Sequence, residues 1–282
     1  MNSALRIVVK VGSNVVFPNS AMHANALHAI ADEVAYLWRQ GHHIAVVSSG
    51  AVGCGNILFG DSLNAYEGVQ RDQTAAMYGQ GVLMYHWIQA LGKHGIAAGQ
   101  LLRVHADFES GHSPATDFLR FQFNQQHKTN INGIPIINEE DTMATAEIVA
   151  MREHKGDNDM LGALVSIAVE ADIYVIVTDV PAVCDRNPKQ HADALVIPEI
   201  PVVDDSVLSL VDPHPKDRPT GLRTKLLAAK HLQPHGITTH IIGGETDAIL
   251  ENRLIRQVVE GVQIGTKIPG WRNKTGHRSP AR

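Results

Sequence analysis

The chain has 282 residues, 44% apolar and 19% charged, with 24 Lys and Arg against 29 Asp and Glu and a net charge of -5. That near balance argues against a nucleic-acid partner, and no apolar run reaches the ~20 residues of a membrane helix. The two cysteines, Cys54 and Cys184, form no C-x-x-C pair, which argues against a disulfide framework and for a reducing cytoplasm.

The opening MNSALRIVVKVG has no basic start, long apolar core or cleavage site, so it reads as a strand rather than a signal peptide. Apolar β-branched runs predict strands over 5–11, 44–48, 97–102, 134–137, 173–178 and 239–242. Amphipathic stretches predict helices over 21–40, 72–94, 115–126, 158–170, 223–235 and 247–259. Continuous apolar strands alternating with helices imply a mainly parallel sheet covered on both faces, a three-layer α/β/α sandwich. The 16 histidines are scattered, and His42 and His43, just before a strand, make no i, i+4 face, so no metal site is expected. The tail from Trp271 onward is locally basic and reads as a frayed terminus.

In an open parallel sheet, ligands collect where strands end and helices begin. Three such crossings carry glycine: Lys10-Val11-Gly12-Ser13, then Ser48-Ser49-Gly50 with Gly53 and Gly55, then Gly243-Gly244. Glycine lets the backbone approach an anion, and a helix start supplies unpaired N–H donors, so two early crossings with a lysine and hydroxyls beside them point to phosphate. The motif G-x-x-x-x-G-K-[ST] is absent, and no G-x-G-x-x-G follows the first strand, which excludes a P-loop enzyme and disfavours a dinucleotide oxidoreductase. Asp157, Asn158 and Asp159 stand together before the apolar run MLGALVS. Capping a helix needs one such residue, and three leave a surplus for ligand chemistry.

The segments VVKVGS, VVSSGAVGCG, GIPIINEEDT, GDNDMLGALVS, VIVTD and TKLLAAK, in that order, resemble glutamate 5-kinase of the amino acid kinase superfamily. The resemblance runs from Arg6 to about Lys267. It implies the amino acid kinase fold over residues 1–267, a basic tail over 268–282, and no room for the RNA-binding-like PUA domain that often follows. It also implies transfer of phosphate from ATP, with Mg²⁺, to the γ-carboxylate of L-glutamate or a close analogue, the first step toward proline. By that resemblance Lys10 and Lys225 hold the transferring phosphoryl group, and Asp159 organises both lysines. Ser49, Gly50, Asn138, Asp141 and Asn158 would bind the amino acid. Lys10, Gly12, Ser13, Thr178, Asp179, Gly221, Thr224 and Lys225 would bind the nucleotide. The family is commonly dimeric or tetrameric, so a homo-oligomer is expected. For Asp141 and Asn138, the spacing alone fits a solvated acidic loop equally well.

The mismatches lie mostly on the nucleotide side. A glycine-rich loop of the family is replaced here by RPTGLRTK, and a GLYTADP-like stretch by AVCDRNP. Either Arg218 or Arg223 takes over phosphate contacts, as a guanidinium can, or the chain is an amino-acid-binding relative without turnover. The stretch SGHSPATDF also departs from the family, which leaves another carboxylate substrate open.

Overall fold

The computed structural model describes residues 4–17, 22–108, 113–143, 158–186, 191, 193–211, 221–244, 249 and 251–271. Seven strands form one sheet: β1 Arg6–Val11, β2 His43–Ser48, β3 Ala97–Arg103, β4 Gly133–Glu139, β5 Ile173–Thr178, β6 Thr238–Gly243 and β7 Thr266–Ile268. Their order is β3-β4-β2-β1-β5-β6-β7. The first six run parallel, and β7 closes the far edge antiparallel to β6. This is the expected sandwich.

Among the described residues, helices are α1 Ser13–Val16, α2 Ala24–Arg39, α3 Ala51–Phe59, α4 Gly68–Gly92, α5 Pro114–Gln125, α6 Asn158–Ala168, α7 Asp205–Val211, α8 Leu222–Leu232 and α9 Leu254–Val259. Helices α2, α3, α4 and α9 cover one face of the sheet, with Ile7, Val9, Val11, Ile44 and Val46 beneath them. Helices α5, α6 and α8 cover the other, over Val8, Ala45, Val47, Tyr174 and Ile176. Successive strand side chains alternate between faces, so these two cores are read directly from the odd and even positions of β1 and β2.

All six predicted strands are present, and β7 joins them unanticipated, because three residues give no periodic signal. Helix α3 was also not anticipated. Its sequence AVGCGNILF carries two glycines, each of which lowers helix propensity by ~1 kcal/mol relative to alanine. Packing overrides that cost: a Cβ on Gly79 would lie 1.9 Å from the Ala51 carbonyl oxygen, and one on Gly55 2.0 Å from that of Ala75. Helices α3 and α4 therefore touch backbone to backbone, which only glycine permits. Of the predicted helix 247–259, residues 249, 251 and 254–259 are helical, and 247, 248 and 250 lie outside the described residues. The predicted helix at 223–235 ends at Leu232 and tightens into a 3₁₀ turn over Gln233–His235.

Candidate active site

The strands' carboxyl ends enclose a cavity of about 430 Å³. Lys10 reaches it through strand periodicity. Val8 belongs to the core beneath α6 and α8, and Lys10, two residues on, points the same way. There it meets Asp159, the second residue of α6, whose side chain is 0% exposed. The Asp159 Oδ1 lies 2.7 Å from Lys10 Nζ, and Oδ2 lies 3.0 Å from Lys225 Nζ on α8. The Thr224 hydroxyl donates to the same Oδ2 at 2.9 Å, and the buried Tyr174 hydroxyl donates to the Asp159 carbonyl oxygen at 2.9 Å. Lys225 Nζ also donates to the Gly221 carbonyl oxygen at 3.2 Å.

Two ammonium groups share one carboxylate, so the cluster carries a net positive charge where an anion can approach. Burying such a triad loses hydration worth several kcal/mol per ion, and apolar side chains of similar volume commonly serve stability as well or better. Stability alone therefore gives no reason for a lysine inside the strand RIVVKV. A dianionic or trianionic ligand does.

Across the cavity stands a second set of polar groups. The Asn158 Nδ2 donates to Ser49 Oγ and to Asn138 Oδ1, both at 2.9 Å. Asn158 is thus turned toward β2 and β4 by its side-chain amide. Asp157, the other residue expected at that helix start, lies outside the described residues. Gly50 opens α3 with φ +129, and a Cβ there would lie 2.8 Å from the Phe17 ring, so this corner accepts only glycine. Asp141 also lines the cavity. Burial first, then the charges of Glu140 and Asp72, push its carboxyl up to about 6.

On the third side, Asn14 Nδ2 donates to Asp179 Oδ2 at 3.1 Å, and the Thr178 hydroxyl donates to Asp179 Oδ1 at 3.1 Å. Burial alone would raise Asp179, but the hydrogen bonds of Asn14, its own backbone and Thr178, with the Lys225 charge, outweigh it and hold the carboxyl below its usual range. Gly12 lines this side, yet its N–H donates to the Val177 carbonyl oxygen at 3.0 Å. Gly12 therefore contributes room rather than a donor for phosphate.

Of the fourteen sites named from sequence, twelve line the cavity: Lys10, Gly12, Ser13, Ser49, Gly50, Asn138, Asp141, Asn158, Thr178, Asp179, Gly221 and Lys225. Asp159 and Thr224 stand behind the lysines and position them. Arg223, one of the two arginines considered for phosphate, donates to the Leu208 carbonyl oxygen on α7 at 3.4 Å and is not among the described residues that line the cavity. Arg218 and Pro219 lie outside the described residues. In AVCDRNP, Ala182, Val183 and Cys184 are buried, and Cys184 pairs with Val196 in an isolated bridge, so the start of that segment packs structurally. In SGHSPATDF, the Ser113 Oγ caps α5 by accepting from the Thr116 N–H at 3.1 Å.

Sequence reasoning passed over Asn14, Glu139 and Gln80. A signal existed for Gln80, because it interrupts the stripe Ala76, Leu83, Trp87 at i, i+7, i+11, where a helix shows its core face.

The model of the amino acid kinase family matches residues 5–243. The chain belongs to that family. Its relatives within the amino acid kinases include the glutamate 5-kinase of Chromobacterium violaceum, 35% identical over 275 residues, covering 97% of this chain and 70% of that protein. The glutamate 5-kinase of Thermus thermophilus is 31% identical over 277 residues, covering 98% and 70%. That of Methanococcoides burtonii is 31% identical over 268 residues, covering 94% and 68%. Among solved structures, the UMP kinase of Bacillus anthracis superposes with a TM-score of 0.64 at 14% identity, covering 95% of this chain and 97% of its own, which speaks for the shared amino acid kinase fold alone.

Proposed function

We infer that this chain is an ATP-dependent kinase acting on the γ-carboxylate of L-glutamate and yielding γ-glutamyl phosphate, the first step of proline biosynthesis. One observation carries the reading: Asp159 gathers Lys10 and Lys225 at one wall of a cavity whose other wall presents Ser49, Asn158 and Asp141. The acceptor carboxylate is ionised at neutral pH, so no general base is required. Its oxygen attacks the γ-phosphorus, the bond from phosphorus to the bridging oxygen breaks, and ADP leaves with that electron pair. The task left to the protein is to hold two anions together and match the charge on the transferring group. Lys10 and Lys225 do this, and Asp159 keeps both ammonium groups from drifting apart. Asp141 offers a carboxylate for the substrate ammonium.

Mg²⁺ would enter with ATP, coordinated chiefly by phosphate oxygens, as this ion usually is in kinases. Among the described residues, no group of three or more His, Cys, Asp or Glu is placed to hold a metal. The ion would supply charge neutralisation on the phosphates, and Lys10 and Lys225 would supply the protein's share of positive charge.

The assay is direct. Purified protein with ATP, Mg²⁺, glutamate and hydroxylamine should form γ-glutamyl hydroxamate; no product across a panel of carboxylate acceptors would leave an amino-acid-binding protein instead. A pH dependence follows from Asp141. With its carboxyl raised to about 6, the free protein loses this anion as pH falls through that value, so KM for glutamate should climb on acidification. In Asp141→Asn the KM should be high and flat between pH 5 and 8, about tenfold or more above wild type at pH 8. An Asp141→Asn profile that still bends near pH 6 would assign the titration to another group.

The chain is further expected to self-associate. Edge strand β3 shares an apolar groove with exposed Phe118, Phe121 and Ile131, and α4 carries exposed Tyr78, Tyr85 and Ile88. An open strand edge beside an apolar groove, with further exposed apolar side chains on α4, suits pairing with a second copy about a two-fold axis. Sedimentation should find a dimer or larger, and Tyr85→Lys with Phe121→Lys should yield monomers; a monomeric wild type would remove this expectation. A cytoplasmic setting suits the two cysteines, which are buried free thiols. Among the described residues no helix is long and apolar enough to cross a membrane.

A further inference from the structure

We propose that Gln80 is a positioning residue for the amino-acid acceptor: it sets the direction of a chain of side-chain amides so that Asn158 meets the substrate ammonium with an oxygen. The inference rests on the reading of the cavity as an amino-acid site. Gln80 sits in the middle of α4, buried, with its Oε1 accepting from Asn138 Nδ2 at 2.8 Å. An amide has one acceptor end and one donor end, so engaging the Asn138 nitrogen turns the Asn138 oxygen away from Gln80. That oxygen accepts from Asn158 Nδ2 at 2.9 Å, and the same nitrogen donates to Ser49 Oγ at 2.9 Å.

Both protons of the Asn158 amide are then committed. Its Oδ1 is buried and accepts no hydrogen bond among the described residues. An acceptor without a donor is the complement of an ammonium group. Ser49, whose oxygen accepts from Asn158, keeps its own proton for an acceptor such as a carboxylate. The relay thereby gives the wall a polarity, acceptor at Asn158 and donor at Ser49, that matches a zwitterion. The direction is fixed at its far end by charge. Gln80 also lines a neighbouring cavity of about 310 Å³ together with Glu139, Glu140 and Asp141. Carboxylates on that side favour the amide nitrogen of Gln80 there, which leaves the oxygen for Asn138.

The polarity distinguishes glutamate from glutarate, the same dicarboxylate without the amino group. Calorimetric titration of wild type, Gln80→Met and Gln80→Glu with both compounds reads this without requiring turnover. Wild type and Gln80→Glu, which keeps an acceptor oxygen in either protonation state, should favour glutamate by about tenfold or more, the scale of one hydrogen bond to a charged group. Gln80→Met, similar in shape but unable to accept from Asn138, should lose most of that preference while its affinity for ATP stays within about twofold. An unchanged preference in Gln80→Met, or an equal loss in both variants, would overturn the proposal. Should the methionine variant not fold, Gln80→Ala is judged by the same ratio. A wild type that binds glutamate without phosphorylating it would contradict the kinase reading and leave the relay standing, whereas a wild type that binds neither compound would overturn both.

Discussion

Lys10→Met should lower turnover by about 10²–10³-fold, the usual cost of removing one group that stabilises developing charge. The effect should fall on kcat, because the variant leaves untouched Ser49, Asn158 and Asp141 on the proposed glutamate side and Lys225 on the proposed nucleotide side. The fold should survive: Lys10 is 3% exposed within an apolar strand, methionine fills similar space, and Asp159 keeps Lys225 and Thr224 as partners. A change in unfolding free energy in the ordinary range of roughly 0.5–3 kcal/mol is expected. Hydroxamate formation and a denaturant melt on the same preparation separate the two effects. A variant within threefold of wild-type turnover would show that Lys10 does not face the phosphoryl group.

Asp159→Asn should do the larger damage to stability. It leaves two buried ammonium groups beside each other with no carboxylate between them, and breaking a buried pair from one side costs about 3–5 kcal/mol. Activity should fall at least as far as in Lys10→Met, because both lysines lose the group that fixes them. A specific consequence separates this from generic core damage. An added anion can replace the missing charge, so inorganic phosphate or ATP should raise the melting temperature of Asp159→Asn more than that of wild type. Equal shifts in the two proteins would mean that the lysines do not converge on a phosphate site. A variant as stable as wild type without any anion would mean that the triad is weaker than its geometry implies.

Much of this was legible from sequence because the decisive residues break local rules. Lys10 interrupts an apolar strand, and the three polar residues before MLGALVS exceed what a cap requires. Parallel strands announce themselves by continuous β-branched runs, and the same runs locate the carboxyl edge where ligands gather. Helix α3 stayed hidden for the opposite reason: its glycines weaken the local signal, and only the close approach to α4 explains them. The place of Gln80 on the core face of α4 was legible from its spacing, but its partner Asn138 lies 58 residues away, and no spacing rule reports a contact made through tertiary structure. Charge and proximity in sequence say nothing of direction: the Arg223 guanidinium donates to a carbonyl of α7, whereas Lys225, two residues later, turns to Asp159.

The same geometry explains why Thr224 and Asp159 belong to the site without lining it. A lysine ammonium on a long flexible stem loses rotamer freedom worth up to ~2 kcal/mol when fixed. Here the ordering is done in advance by Asp159 and the Gly221 carbonyl. Organisation of this kind before the substrate arrives is what distinguishes a catalytic electrostatic site from a charged surface.

The most direct test of two lysines clasping a phosphate in transit is binding of a transition-state mimic, ADP with aluminium fluoride and glutamate. Relative to ADP and glutamate without fluoride, the mimic should bind wild type at least about 10²-fold more tightly. That gain should be lost in Lys10→Met, although the variant still binds ADP and glutamate. If Lys10→Met shows the same tightening as wild type, the lysines do not hold the phosphoryl group.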